Sequence, residues 1–245
     1  MKQRLDQQLA ARGLVASRSQ AESYIRLGQV TVAGRVITKA GHMVNDADIV
    51  AVTAAQQYVS RAALKLASVA ELFHLDFHDK TVLDVGSSTG GFTQFALKHG
   101  ARKVLAVEVG TDQLHPSLRE DSRIELHEKT DIRDFQTKDK IDMVVADVSF
   151  ISLREILPSV IKLCSPRTEL AIMVKPQFEA IASSLKHKGV IKNDKMRRDI
   201  LRDFEQWAQQ RFVVIDKADS QVSGSKGNVE RFYLLKPTGR ALEKH

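Results

Sequence analysis

Cysteine occurs once in the 245 residues, at Cys164, so no intrachain disulfide can form and a reducing compartment is the natural home. In a helix-like stretch, this residue reads as a small buried apolar group. The opening residues Met1-Lys-Gln-Arg-Leu-Asp6 lack the apolar core of a secretory signal, and no apolar run is long enough to span a bilayer. A cytoplasmic protein with no membrane partner is expected. Internal repeats and low-complexity tracts are also missing. His74 and His78 stand at i,i+4 spacing, but no cysteine or acid joins them in a familiar ligand pattern, so no metal is expected. Ser149 and Ser152 lack the glycine-flanked turn of a hydrolase nucleophile.

What is present is a chain 43% hydrophobic and 27% charged, enough for one full α/β core and a small additional module. Its formal net charge of +7 favours a polyanionic partner, since basic surfaces attract phosphate backbones and release their counterions. Residues 1–57 hold seven of the Lys and Arg residues against four Asp and Glu, a net +3, which is denser than the +4 left for residues 58–245. This head alternates helix-like spacing (Leu5, Leu9; Ala21, Tyr24, Ile25) with short apolar runs (Val30–Val32, Ile49–Val52), punctuated by Gly28, Gly34 and Gly41. Its order Arg4-Leu-Asp6, Gly13-Leu-Val15, Ser17-Arg18-Ser19-Gln20-Ala21 and Ile25-Arg26-Leu-Gly28 resembles an S4 RNA-binding domain. The resemblance implies arginines presented to structured RNA, with Arg4, Arg18, Arg26 and, past the junction at Gln56–Gln57, Arg61 as the candidate contacts. Arg18 and Arg26 lie about two helical turns apart on roughly one side, suited to bridging phosphates. With Tyr24 as the head's only aromatic, recognition by shape and phosphate fits better than base stacking.

From residue 58 onward, apolar strand-like runs alternate with helix-like segments, the signature of a mostly parallel sheet covered on both faces. The runs are 82–85, 104–107, 124–126, 143–146, 170–174, 212–215 and 231–235; helices are expected over 60–72, 91–99, 153–163 and 195–209. After the first run comes Asp84-Val-Gly86-Ser-Ser88-Thr89-Gly90-Gly91-Phe92, where a glycine turn opens a helix and lets a ligand approach the backbone closely. Its G-x-x-x-G-G spacing differs from the dinucleotide fingerprint, and Asp84 suits a cationic amino-acid ligand such as S-adenosylmethionine better than a pyrophosphate. Glu108, ending the second run, is placed to accept the hydroxyls of an adenosine ribose, and Asp131 to meet the adenine amino group. Asp147 and Lys175 end the fourth and fifth runs, where open α/β sheets put their chemistry.

Ser60-Arg61-Ala-Ala-Leu-Lys65, the Asp84–Phe92 loop, Ala146-Asp147-Val-Ser-Phe-Ile-Ser-Leu153, Val174-Lys175-Pro-Gln-Phe-Glu179 and Gly227-Asn-Val-Glu230 together resemble the TlyA (haemolysin A) family, itself similar to the FtsJ ribose methyltransferases. The resemblance covers almost the full length. It implies a Rossmann-like α/β methyltransferase body over residues 58–245, seven-stranded with the last strand antiparallel, and a small S4-like α+β head over residues 1–57. It also implies S-adenosylmethionine-dependent methylation of a cytidine ribose 2'-hydroxyl in ribosomal RNA, free or in ribosomal subunits, with Lys65, Asp147, Lys175 and Glu230 as the catalytic set. The expected cofactor contacts are Asp84, Gly86, Ser88, Thr89, Gly90, Gly91, Phe92, Glu108, Asp131 and Asp147. Ser87, Glu108 and Val222 depart mildly from the family pattern and touch no catalytic group.

The chemistry agrees with the set. A ribose hydroxyl is a poor nucleophile at neutral pH, so transfer from a sulfonium needs a nearby proton acceptor and close alignment. A lysine can take that proton only where burial or a neighbouring cation disfavours its charged form. Lys175 is assigned as acceptor, Lys65 as the group orienting the hydroxyl, Asp147 as the partner of Lys175 and Glu230 as the partner of Lys65. Surface ion pairs are the competing reading for each pair taken singly. Phe150 and Phe178 follow strands and are candidates to stack on a flipped base, with core packing the simpler expectation. The cluster Lys186, Lys188, Lys192, Lys195, Arg197, Arg198 and Arg202 is either a solvated face or a grip on RNA backbone. Two other functions compete: a noncatalytic RNA-binding or ribosome-assembly factor, and a membrane-active haemolysin.

Overall fold

Apolar runs flanked by glycine turns become the strands of one central sheet because both of its faces are covered. In the computed structural model, which describes residues 2–54, 58–182, 189–191, 193–222 and 227–242, that sheet has seven strands. They are β6 (Thr81–Val85), β7 (Lys103–Val107), β8 (Ile124–His127), β9 (Met143–Ala146), β10 (Glu169–Val174), β11 (Phe212–Asp219) and β12 (Arg231–Pro237). Their spatial order is β11-β12-β10-β9-β6-β7-β8. β12 runs antiparallel to both neighbours, while β8, β7, β6, β9 and β10 pair in parallel. Successive residues of a strand point to opposite faces, so Leu83, Val85, Val144 and Ala146 enter one core while Val82, Met143 and Val145 enter the other. Helices α6 (Leu153–Val160) and α8 (Asp194–Ala208) cover the first face; α3 (Arg61–Ala70) and α4 (Gly91–Lys98) cover the second, and the short α5 (Pro116–Arg119) lies between β7 and β8 in the chain. Strand order reverses between β6 and β9, and the loops that follow these two strands part there to leave a crevice.

The head is built from β1 (Lys2–Arg4), α1 (Leu5–Ala11), α2 (Arg18–Arg26), β2 (Val30–Val32), β3 (Arg35–Val36), β4 (Met43–Asn45) and β5 (Val50–Val52). β1 pairs with β4, and β3-β2-β5 form a second antiparallel sheet. Ser17 caps α2 by accepting the Gln20 amide at 3.2 Å. Leu5, Leu9, Tyr24, Ile25 and Val30 fill the head's core, and two residues from elsewhere in the chain, Leu64 on α3 and Val222, complete it. Polar contacts accompany that packing: Gln20 Nε2 donates to the Tyr58 carbonyl at 2.7 Å, and an Arg61 guanidinium N–H donates to Ser19 Oγ at 2.5 Å.

Two differences from the sequence reading are local. The segment expected as a helix to residue 163 tightens into a 3-10 turn over Ile161–Leu163. The run 212–215 extends to Asp219 through a register shift between Val214 and Asp216. The junction Gln56–Gln57 lies outside the described residues, as do Lys186, Lys188 and Lys192. Among the described residues, no helix is long and apolar enough to cross a membrane, and no group of three His, Cys, Asp or Glu side chains converges to hold a metal ion.

Candidate active site

The crevice is a cavity of about 460 Å³, within the usual range for small-molecule sites. Its floor is the loop after β6. Gly86 (φ +79°) approaches the neighbouring β9 loop so closely that a Cβ there would meet Val148 Cγ1 at 3.1 Å and the Asp147 carbonyl at 3.2 Å. Gly91 serves a different closeness: a Cβ would meet Ala62 Cβ at 2.9 Å, so its absence lets α4 pack against α3. Of the expected cofactor contacts, Asp84, Gly86, Ser88, Thr89, Phe92, Glu108, Asp131 and Asp147 line the cavity. Gly90 and Gly91 do not; they shape the start of α4 behind it.

Asp84 is fully buried at the end of β6. Thr93 Oγ1 donates to its Oδ2 at 2.6 Å, while Oδ1 is buried without a hydrogen-bond partner among the described residues. Burial, opposed by the Thr93 bond and reinforced by the nearby Asp147 and Glu108 charges, pushes its pKa up to about 7. A buried carboxylate with one oxygen unanswered fits a ligand that brings a cation. Glu108 accepts the Ser88 amide at 2.9 Å and the Gly110 amide at 2.8 Å, which ties the loops after β6 and β7 together. These two bonds use about half of a carboxylate's acceptor sites, leaving room for ligand hydroxyls. Asp131 is held by Arg133, whose Nη2 donates at 2.6 Å, and this bond lowers its pKa.

Adjacent strands deliver the polar residues beyond the cofactor loop. Asp147 follows β9, Lys175 follows β10, and Glu230 precedes β12. Val174 pairs with Arg231, so one further step of that antiparallel register sets Lys175 beside Glu230. Lys175 Nζ lies 2.5 Å from Asp147 Oδ1, donates to Ser149 Oγ at 2.7 Å and sits 5.9 Å from the Phe178 ring centre. Lys65 Nζ lies 2.5 Å from Glu230 Oε2, with side chains only 6% and 4% exposed. Asp147 and Lys175 line the cavity, whereas Lys65 and Glu230 do not; Ala62, one turn before Lys65 on α3, does. These are interior pairs, unlike the surface pairs that were the competing reading.

The expectation that Phe150 packs in the core is overturned. It is 90% exposed at the cavity rim, holds φ +66° and packs its ring 5.3 Å from that of Phe178. Positive φ is unfavourable for a bulky side chain, so the loop imposes this display. Sequence reasoning also missed Ser149 as a partner of Lys175, although its place two residues after Asp147 was a signal. Gln113, Thr130 and Ile132 in the lining carried no comparable mark.

In the head, Arg4 and Arg18 meet at Asp6, whose side chain is fully buried, at 2.8 and 2.9 Å. Burial raises the Asp6 pKa, but hydrogen bonds and charge from both arginines outweigh it and bring the pKa down to about 2. Both guanidinium groups stay partly open to solvent, at 41% and 51% exposure. Arg26 is exposed near the end of α2, while Arg61 reaches back to Ser19. On α8, Lys195 and Arg198 are exposed, and Arg197 and Arg202 pair with Asp219 and Asp199.

Comparison with known proteins adds a lineage to this geometry. Residues 58–236 match the FtsJ-like methyltransferase family, and residues 3–50 match the S4 domain. The chain is 36% identical to the 16S/23S rRNA (cytidine-2'-O)-methyltransferase TlyA of Mycobacterium tuberculosis, over 98% of this chain and 92% of that protein. It is 37% identical to Hemolysin A of Brachyspira hyodysenteriae, over 93% of this chain and 97% of that protein. A solved chain from Streptococcus thermophilus superposes with a TM-score of 0.71 at 32% identity, covering 97% of this chain and 89% of that one.

Proposed function

The chain belongs to the FtsJ-like methyltransferase family, and on that premise we propose that it transfers a methyl group from S-adenosylmethionine to a cytidine ribose 2'-hydroxyl of ribosomal RNA. The observation that carries this reading is the meeting of Asp147 and Lys175 with the Asp84–Phe92 loop in one cavity at the switch point. Residues 1–57 act as the RNA-docking head and residues 58–245 as the catalytic body, working in the cytoplasm on ribosomal subunits or their RNA.

S-adenosylmethionine, when bound, supplies an electrophilic methyl on a cationic sulfur. Asp84, with its unanswered buried oxygen, holds the amino-acid end; Glu108 takes the ribose hydroxyls; and Asp131 with Ile132 borders the adenine. Lys175, once it has given up a proton to solvent and stands as the neutral amine, meets the RNA hydroxyl and accepts its proton, while Asp147 and Ser149 fix the position of its Nζ. Lys65, held by Glu230, orients the hydroxyl and balances the charge that develops on oxygen. Phe150 offers a ready face for a base turned out of its stack, backed by Phe178. Arg4, Arg18, Arg26 and Arg61 bring phosphate contacts from the head and junction.

The test is mass spectrometry of ribosomal RNA incubated with the protein and S-adenosylmethionine bearing a labelled methyl. Wild type is expected to yield labelled 2'-O-methylcytidine, and Lys175→Ala at least about 100-fold less, the usual scale of losing a general base. Label on a base instead of a ribose would overturn the assigned roles.

A further inference from the structure

Glu179 has no part in the chemistry described so far, yet it is buried to 1% exposure on α7 (Pro176–Ala182), four residues beyond Lys175 and outside the cavity lining. Both of its oxygens face the start of α6. Oε2 accepts from Ser152 Oγ at 2.6 Å, and Oε1 accepts from the Leu153 amide at 2.7 Å. Ser152 is the N-cap of α6 and accepts the Arg154 amide at 3.1 Å, so Glu179 completes from another helix a cap that Ser152 begins. Arg154 closes the cluster: its Nε lies 3.6 Å from Glu179 Oε2, and its Nη2 lies 2.8 Å from Asp203.

The segment between Asp147 and Ser152 is thereby held at both ends. At its start, the Asp147 amide donates to the Val85 carbonyl at 3.2 Å; at its finish stands the Glu179 clamp. Between these anchors lie Ser149, which receives the Lys175 hydrogen bond, and Phe150 in its unfavourable positive-φ conformation. Such a loop would relax if released, because only the surrounding structure keeps a bulky residue there. Lys175 immediately precedes the helix that carries Glu179, and the Glu179 amide donates back to the Lys175 carbonyl at 3.2 Å. One carboxylate thus fastens the loop bearing both partners of Lys175 to the helix that begins beside Lys175 itself.

We propose that Glu179 is a positioning residue for methyl transfer: by pinning the start of α6 to α7, it fixes Asp147 and Ser149 against Lys175 Nζ. This rests on the reading of Lys175 as the group that meets the ribose hydroxyl. Because Glu179 stays outside the cavity lining, it should govern turnover and leave cofactor affinity alone.

The experiment compares full-length wild type, Glu179→Ala and Glu179→Gln, using ribosomal RNA as substrate. It measures kcat, KM for RNA, S-adenosylmethionine Kd by calorimetry, and thermal stability. Glu179→Ala is expected to lower kcat by about 10- to 100-fold, the scale of a small misplacement of reacting groups. Kd for S-adenosylmethionine should stay within about threefold of wild type, since Asp84 and Glu108 lie elsewhere, at the ends of β6 and β7, while KM for RNA should rise because Phe150 rides on the released loop. Glu179→Gln keeps an acceptor for Leu153 and a hydrogen-bonding group for Ser152, so kcat should return to within about threefold of wild type. Unchanged kcat in Glu179→Ala, an equal loss in Glu179→Gln, or a loss residing in Kd would each overturn the assignment. Should Glu179→Ala fail to fold, Ser152→Ala tests the same clamp; it removes one of the two bonds and should lower kcat with the same split, and an unchanged kcat there refutes the proposal. Wild type that places no label on ribose would sink the parent reading, whereas a labelling wild type with an indifferent Glu179 sinks only this one.

Discussion

Removing Glu230 leaves the Lys65 ammonium buried without its carboxylate. The two groups lie 2.5 Å apart with side chains 6% and 4% exposed, so water cannot easily take the place of the lost partner. Breaking such a pair from one side costs about 3–5 kcal/mol, because the remaining charge keeps its desolvation penalty. For a chain of this size, each kcal/mol moves the melting temperature by roughly 2–4 °C, so Glu230→Ala should melt about 6–20 °C lower. Replacing both partners with apolar groups, Lys65→Met with Glu230→Leu, removes the stranded charge and should recover most of that stability. Turnover should behave differently. If Lys65 orients the hydroxyl, the double variant remains at least about 100-fold slower than wild type despite its recovered fold. Urea unfolding followed by circular dichroism, in the absence of cofactor, supplies the stability arm, and labelled-methyl transfer to ribosomal RNA supplies the other. A Glu230→Ala loss below about 1 kcal/mol would show that the pair behaves as a solvated one. Recovery of turnover together with stability in the double variant would show that the pair only holds the fold.

Further outcomes follow from two residues of the cavity, Asp84 and Phe150. Asp84 has its folded pKa raised to about 7 from 3.8, so its contribution to stability is fully present below pH 3.8, where the side chain is a neutral acid in both states, and is lost as pH rises toward 7 and the buried group ionises. Asp84→Asn should therefore unfold later than wild type at pH 8 and equally at pH 3.5 in the absence of cofactor; identical curves at pH 8 would refute the assigned burial penalty. S-adenosylmethionine affinity should rise between about pH 6 and pH 8 as Asp84 ionises, and calorimetry on Asp84→Asn should find that rise flattened. Phe150→Gly relieves the positive-φ conformation and should leave stability equal or up to about 1 kcal/mol higher, the gain offset by added freedom in the unfolded chain. The same variant should lose about 5- to 150-fold in RNA kcat/KM if the exposed ring stacks on a base, and an unchanged kcat/KM would remove Phe150 from the substrate side.

The central sheet was legible because a strand buried on both faces is a continuous apolar run, and Thr81–Val85, Met143–Ala146 and Glu169–Val174 are such runs with glycine, proline or acidic punctuation. The crevice was legible for a related reason: chemistry-bearing residues at the ends of those runs, Asp84, Asp147 and Lys175, share one end of the sheet whatever the strand order. The short head strands β1, β3 and β4 were not legible, since two or three residues carry too little periodicity to distinguish a strand from a turn.

By itself, then, the sequence determined the strand–helix alternation, the cofactor loop and the residue types at the strand ends, because burial periodicity and turn chemistry are local. Tertiary structure alone decided that Arg4 and Arg18 converge on buried Asp6, and that Leu64 and Val222 finish the head's core. It alone turned Phe150 outward and set Glu179 against α6. Those outcomes depend on where side chains distant in the chain are brought to point, a direction set by packing and not encoded in any short window of residues.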